Sequence, residues 1–377
     1  MKWIHTSDLH IGKQINEFSL LEDQRFFLRQ LSELALKERP DVLLISGDLY
    51  DRSVPSAEAV SVLDAFLSHV TLELKILAIA GNHDSPQRLD FCSRLLRTSG
   101  LYLSGRYKRH WDKITLQDEF GPVHFYLCPY LEPALVRTDF PNEEIHSFDD
   151  AFSTVLQENL FQIDFSQRNV ILAHGFFSYL KNPDSVARSE SEVSLGGSDL
   201  IDAKRLEDFD YAALGHIHRP QITGKDHLCY SGSPLKYSQS EIPYHKSVVV
   251  AQLGQKGHLM IRRQSLPVLR DMRMIEGDFD QILKSNPNEK ESRDLVFFSL
   301  LDRVLVPNAM NRLRTIYPNA LGIFMGRRNE NGDLSVPSQK AAKPVDVLFE
   351  EFYQSITGEK PQEQQNTIIR NICDRLR

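Results

Sequence analysis

Five short apolar runs in this chain each stop at a cluster of aspartate, asparagine or histidine, and nothing else in the sequence restricts the fold as much. The run Ile76–Ala80, in "LAIAGNHDSP", ends at Gly81 and is followed at once by Asn82, His83 and Asp84. An apolar run of that length reads as a strand buried on both faces. A turn needs the glycine and can use the asparagine, but it has no need of the histidine. The same break occurs in "SDLH" (Asp8, His10), "SGDLYDR" (Asp48, Asp51), "AHG" (His174) and "LGHIH" (His216, His218). Polar groups at the carboxyl ends of sheet strands converge on one crevice, where open α/β sheets bind ligands.

Strands are expected at Lys2–Thr6, Asp41–Ser46, Lys75–Ala80, Val123–Cys128, Asn169–Ala173 and Tyr211–Leu214. Helices are expected at Leu21–Glu38, Ser56–Val70, Pro86–Thr98 and Phe148–Phe161. In the first helix Phe27, Leu28, Leu31 and Leu34 have the spacing of one buried face. Helix-length segments alternating with short apolar strands indicate an α/β domain with a largely covered sheet. Shorter, antiparallel-looking strands follow at His227–Tyr230, Ser247–Gln252 and His258–Arg263, and this first domain is taken to span 1–266. A small α/β unit, 267–328, has strands in "RDLVFFSLLD" and "NALGIFMG" around a short helix opened by Pro307. A polar, turn-rich linker occupies 329–343. In the tail, 344–377, Val345, Leu348, Phe349, Phe352 and Ile356 share one helical face and Gly358 is placed to cap it.

No apolar run is long enough to span a membrane, and "MKWIHTSDLH" lacks the apolar core of a secretory leader, so a cytoplasmic location is expected. The four cysteines are widely spaced and form no C-x-x-C pair, which excludes a zinc ribbon and a disulfide framework. A net charge of −7 does not by itself suggest a nucleic-acid binder. Charge is uneven, however. Arg88, Arg94, Arg97, Arg106, Lys108 and Arg109 face a single acidic residue, Asp90, within one run. A solvated helix face with a loop is the simpler account of that run taken alone.

An aspartate after a strand is usually a turn residue or a helix cap, and a lone buried histidine usually serves the core. Five coincidences at five strand ends are a different matter, and they absorb five of the thirteen histidines. The donors are carboxylate, amide oxygen and imidazole, with no thiolate. That set suits manganese, iron or zinc in a catalytic site and does not suit structural zinc. Seven ligands are too many for one ion. Two ions about 3.5–4 Å apart that share a carboxylate fit the count and suit displacement at phosphorus.

Taken in order, Asp-x-His, Gly-Asp-x-x-Asp, Gly-Asn-His-Asp, a His followed by Gly, and Gly-His-x-His resemble the motifs of the calcineurin-like metallophosphoesterase superfamily. The resemblance implies an α/β (α+β) fold, a four-layer αββα sandwich of two sheets flanked by helices. It also implies two divalent metal ions, with manganese expected. Asp8, His10, Asp48 and His218 would hold one ion, and Asp48, Asn82, His174 and His216 the other. His83 would stand beside the metals as a non-ligand facing the leaving oxygen, with Asp51 as its orienting carboxylate. Asp84 would shape the turn.

"IHTSDLHIGK", "GDLYDRSVPSAEAV", "AGNHDSPQRL" and "YSGSPLKYSQSE" narrow the resemblance to the SbcD-like nuclease subunits, and 267–328 resembles their capping domain. Several expectations follow from that likeness. The substrate would be DNA, cut exonucleolytically at duplex ends and endonucleolytically in single strands and hairpins. Arg52, Arg88, Arg94 and Arg97 would line the DNA path. A homodimer would form through the apolar stripes of helices 56–70 (Val60, Leu63, Leu67) and 86–98 (Leu89, Leu95, Leu96). The helical tail would dock an SbcC-like ATPase, in a bacterial cytoplasm, in the service of DNA repair, recombination and replication. The competing readings are a stand-alone phosphodiesterase for small nucleotides and a non-catalytic scaffold of the same fold.

Overall fold

The computed structural model describes residues 1–179, 199–302, 304 and 306–325, and beyond these residues 327, 328, 334, 335, 349, 353, 361 and 365. Two six-stranded sheets dominate it. The first has the order Leu259–Gln264, Val248–Leu253, Lys2–Thr6, Val42–Ser46, Lys75–Ile79, Leu101–Ser104. Its last four strands are parallel and its first two are antiparallel additions. The second has the order Gln221–Thr223, Lys225–Tyr230, Tyr211–Gly215, Arg168–His174, Gly121–Cys128, Asp112–Asp118, with four parallel strands inside two antiparallel edges.

Side-chain alternation along the strands separates three apolar layers. Trp3 points between the sheets, where Leu44, Leu77, Phe125, Leu172 and Tyr211 complete a dry core. Its indole meets Phe125 edge-on with ring centroids 6.2 Å apart. Ile4 points the other way, to the helices Leu21–Glu38 and Ala57–Val70, through Phe27, Leu31, Leu63 and Phe66. On the far side of the second sheet, Ile171 and Leu214 pack against Phe152 and Val155 of the helix Phe148–Asn159. Helix, sheet, sheet, helix is the expected four-layer sandwich.

Most elements fall within a residue or two of their expected positions. The helix Leu21–Glu38 has the expected bounds and ends where Arg39 turns left-handed (φ 47°). Ser56 lies just outside its helix as the N-cap, accepting from Ala59 N at 3.2 Å. The continuous helix expected at Pro86–Thr98 does not form. The chain makes Pro86–Asp90, an extended Phe91, a left-handed Cys92 (φ 58°), Ser93–Leu96 and a 3-10 turn, Arg97–Ser99. The first piece is crowded by the segment that follows the strand Leu101–Ser104. A Cβ on Gly105 would lie 2.4 Å from Pro86 O and 2.8 Å from Asp90 N. In the two large sheets three strands form where the sequence pattern predicts none: Leu101–Ser104, Gln221–Thr223, and Asp112–Asp118, whose polar ends obscure the inward Ile114 and Leu116.

The chain divides into two compact units. The first comprises Met1–Ile275, Asn286–Phe297 and Met310–Gly322; the second comprises Glu276–Ser285, Phe298–Ala309 and Ile323–Arg377. In the second unit the helix Phe279–Leu283 is anchored by Asp302, which accepts from Phe279 N at 2.8 Å. Arg327–Arg328, at the end of the expected small unit, pairs antiparallel with Leu334–Ser335, inside the stretch expected to be linker. The tail face from Val345 to Ile356 lies outside the described residues, apart from Phe349. Among the described residues no helix is long and apolar enough to cross a membrane.

Candidate metal centre

Loops from both sheets meet at one edge of the sandwich. The first sheet's strands Lys2–Thr6, Val42–Ser46 and Lys75–Ile79 lead into Asp8 and His10, Asp48 and Asp51, and Asn82 and His83. From the second sheet, Arg168–His174 ends on His174, and Tyr211–Gly215 leads into His216 and His218. Asp48 Oδ2 stands 3.6 Å from His10 Nε2 and 3.4 Å from His174 Nε2. His10 Nε2 and His218 Nε2 face each other at 3.1 Å. Asn82 Oδ1 lies 3.0 Å from His174 Nε2 and 3.1 Å from His216 Nδ1. Asp8 Oδ1 accepts from His216 N at 2.9 Å.

These donors fit divalent cations. Asp8–His10–His218, His10–Asp48–His83 and Asp8–Asp48–His174 are each gathered within 4.8 Å, and Asp48 stands in two of the three groups. Asp8, His10, Asp48, His174 and His218 are all buried, so hard oxygen and imidazole donors are turned inward on one another rather than into water. Buried carboxylates and imidazoles in such a cluster are stable only when paired or coordinated.

Backbone geometry gives a second sign of the site. Asp8 (φ 53°), His10 (φ 44°), Asp48 (φ 50°) and His216 (φ 98°) all occupy the left-handed half of conformational space. Each such residue costs roughly 1–3 kcal/mol and persists only where its surroundings enforce it. Here they do. Asp8 N donates to Gly47 O at 3.0 Å, His10 N to Asp48 O at 2.9 Å, and His83 N to Asp48 Oδ1 at 2.8 Å. The glycines in the motifs are spacing devices. A Cβ on Gly47 would lie 2.1 Å from His174 Nδ1, one on Gly81 2.1 Å from Asp48 Oδ1, and one on Gly215 1.8 Å from Ser46 O.

Two candidate ligand histidines are turned by groups that lie inside quoted motifs but carry no assigned role there. His174 Nδ1 donates to Ser46 O at 2.8 Å, which leaves Nε2 facing Asp48. His218 Nδ1 lies 3.0 Å from the fully buried carboxylate of Glu241. Such contacts fix ring orientation and tautomer for a metal. Asp84 ties two loops together, accepting from Tyr50 N (2.9 Å), Gly81 N (3.0 Å) and Leu49 N (3.1 Å).

Burial alone would push the Asp48 carboxyl up, but the imidazoles of His174, His10 and His83 hold it well below the usual carboxylate range. Burial would lower His174, and the Asp48 carboxylate outweighs this to raise it to about 9. Burial, together with the charge of Asp48, raises Asp84 to about 7 against its three backbone donors.

The expected contact between the Asp51 carboxylate and His83 is not made. His83 Nδ1 donates instead to the main-chain carbonyl of Asp51 at 3.0 Å. The carboxylate turns to Lys13 Nζ (2.9 Å) and His10 Nδ1 (3.6 Å). Burial would raise Asp51, and the neighbouring His10 imidazole and Lys13 ammonium bring it down to about 2. The half-buried His83 ring stands edge-on to His10, with centroids 4.7 Å apart.

The basic run is largely neutralised. Arg97 pairs with Asp112 at 2.8 Å, Arg106 with Asp90 at 2.9 Å, Lys108 with Asp112 at 2.6 Å and Arg109 with Glu158 at 2.8 Å. Arg88 and Arg94 are exposed and form no ion pair among the described residues. Arg52 is exposed, with Nε 3.8 Å from Asp51 Oδ2. Beside this run an open groove of about 820 Å³ is lined by Val60, Leu63, Leu67, Leu89, Phe91 and Leu96. Phe91 and Leu95 are 75% and 70% exposed.

Comparison with known proteins agrees with this geometry. The calcineurin-like phosphoesterase family matches residues 1–220. A family described as the type 5 capsule protein repressor C-terminal domain matches residues 268–357. The SbcD component of the nuclease SbcCD of Staphylococcus epidermidis is 30% identical over 374 residues, covering 99% of this chain and 98% of that protein. Its counterpart in Staphylococcus saprophyticus is 30% identical, covering 100% and 98%.

Proposed function

We propose, from the premise that this chain belongs to the calcineurin-like phosphoesterase family and within it to the SbcD-type nuclease subunits, that it hydrolyses DNA phosphodiesters at a two-metal centre. The convergence of Asp8, His10, Asp48, Asn82, His174, His216 and His218 from both sheets carries this reading. Asp8, His10, Asp48 and His218 would hold one ion. Asp48, Asn82, His174 and His216 would hold the second. Oxygen and imidazole donors without thiolate suit manganese, iron or zinc, and the family likeness is what makes manganese the ion proposed. When bound, the ions polarise the phosphoryl group and lower the pKa of the attacking water.

His83 gives a proton to the leaving oxygen. Its Nδ1–H is committed to the Asp51 carbonyl, so the proton comes from Nε2 of the imidazolium. A contribution of ~10²–10⁴-fold is expected of such a group. Asp51 acts through its main chain on His83 and through its carboxylate on His10 and Lys13. Exonuclease action on duplex ends and endonuclease action on single strands and hairpins are proposed. Exposed Arg52, Arg88 and Arg94 contact phosphates, with Arg97 released from Asp112 or left to shape the loop. The relatives' names place them in an SbcCD complex. The tail, 344–377, is proposed to dock an SbcC-like ATPase in the bacterial cytoplasm. The apolar groove with Phe91 and Leu95 is proposed as the homodimer face.

The test is cleavage of a circular single strand and a hairpin duplex in manganese by wild type and His83→Ala. Cleavage by wild type alone, with both proteins binding manganese equally, is the expected result. If wild type leaves DNA intact but hydrolyses a small nucleotide diester, the chain is a stand-alone phosphodiesterase and the nuclease reading fails.

A further inference from the structure

Three of the proposed ligands, Asp8, His10 and His218, share a neighbour on their side of the centre, away from Asn82 and His174. It is the loop from Ser231 to Lys246. Glu241 lies at its centre, fully buried. Glu241 Oε1 is 3.0 Å from His218 Nδ1 and accepts from Ser238 Oγ at 3.1 Å. Oε2 accepts from Lys246 Nζ at 2.5 Å and Tyr237 N at 3.2 Å. Lys246, itself only 7% exposed, also donates to His218 O at 2.8 Å and Ser233 Oγ at 2.7 Å. Ser233 N donates to His218 O at 3.1 Å. His218 is thus gripped at its ring through Glu241 and at its backbone by Lys246 and Ser233.

The loop reaches the other two ligands as well. Ser231 Oγ is 2.8 Å from Ser7 Oγ, which donates to Asp8 Oδ2 at 2.5 Å. The Tyr237 ring stands edge-on to His10 and His218, with centroids 5.4 and 5.8 Å away, and its hydroxyl donates to Leu9 O at 2.5 Å. A loop needing only stability would not keep a buried ion pair. Replacing such a pair with apolar groups is often neutral or stabilising, whereas removing one partner is costly.

We infer that Glu241, held by Lys246, is a positioning residue that fixes the tautomer and orientation of His218 and thereby sets the affinity of one of the two metal ions without setting that of the other. This inference rests on the two-metal reading. A carboxylate accepting Nδ1–H leaves Nε2 as the ligand atom, facing His10 Nε2.

The experiment is manganese titration of the full-length chain, followed by calorimetry and by the electron paramagnetic resonance signal of bound ions. Wild type should take up two ions; fewer would overturn the two-metal reading itself. In Glu241→Ala one ion should bind about 10–100-fold more weakly, the usual cost of losing such a partner. The other should stay within about twofold. Asn82→Ala should weaken the opposite step of the titration. Equal weakening of both ions in Glu241→Ala, or of neither, overturns the inference and leaves the two-metal reading standing. Should Glu241→Ala not fold, Glu241→Gln/Lys246→Met keeps an acceptor for His218 and removes both buried charges. That double variant should bind both ions within a few-fold of wild type, and selective loss of one ion there would show that the acceptor is not what matters.

Discussion

A single methyl group at Gly81 should disable the centre without replacing any of the proposed ligand residues. The Cβ of Gly81→Ala would lie 2.1 Å from Asp48 Oδ1 and 2.5 Å from Asp48 N. Rotating the Asp48 side chain relieves the first contact but not the second, so the backbone at Asp48 must retreat by about 1 Å. Overpacking of this kind costs about 1–3 kcal/mol. A displacement near 1 Å in a positioned group costs ~10²-fold in rate. Asp48 stands between His10 and His174, so both ions should be affected together. The assay is the initial rate of hairpin cleavage in saturating manganese, with a urea melt of the same samples. Gly121→Ala is the control. Gly121 has φ +101° but no atom within 4 Å of its would-be Cβ, so strain should cost stability and not rate. Gly81→Ala with the rate and manganese affinity of wild type would refute the close-approach argument.

Other expectations concern protons, charge and surfaces. His174 is raised from 6.5 to about 9, so its pairing with Asp48 stabilises the metal-free protein fully below pH 6.5 and is lost as pH rises through 9. Manganese needs the neutral ring, so affinity should climb over that window with proton release measurable by calorimetry in paired buffers; a flat profile refutes the pairing. Asp118→Ala would leave the guanidinium of Arg168, 4% exposed, without its carboxylate. A loss of roughly 3–5 kcal/mol in urea melts is expected, with metal binding unchanged. If the proposed homodimer forms through the groove, wild type should sediment as a dimer at micromolar concentration and Leu95→Asp with Phe91→Asp as a monomer; a monomeric wild type or a dimeric variant refutes that face.

The site is more legible in the sequence than its supports are. Apolar runs that stop at Asp, Asn or His reveal strand ends directly, because parallel strands deliver their following residues to one edge. The flanking glycines are visible as letters, but their reason, the approach of Gly47 to His174 and of Gly215 to Ser46, exists only after folding. Glu241 is hidden for a related reason. It closes the stretch "YSGSPLKYSQSE", whose letters point to the family without giving this residue a role, and only tertiary structure buries it against His218 and Lys246. For Asp51 the motif points to the right residue and the wrong atom. Sequence spacing brings Asp51 to His83, but a turn decides whether its side chain or its carbonyl faces inward. The apolar stripe over 86–98 is sound as a pattern, yet the left-handed Cys92 interrupts the helix it suggests.

The seam between the sheets has a thermodynamic consequence. The first sheet supplies Asp8, His10, Asp48 and Asn82, and the second supplies His174, His216 and His218. Ions held by the proposed ligands of both sets would be cross-links between the two halves of the sandwich. Each ion at 100 times its dissociation constant adds about 2.7 kcal/mol against unfolding. Metal removal therefore acts on the whole domain as well as on its chemistry. On the proposed ligand assignment it would weaken the edge where the sheets join, release buried carboxylates to repel one another, and leave the four left-handed residues Asp8, His10, Asp48 and His216 with less to hold them. A chain starved of metal would report that state to proteases and to unfolding before any substrate arrived.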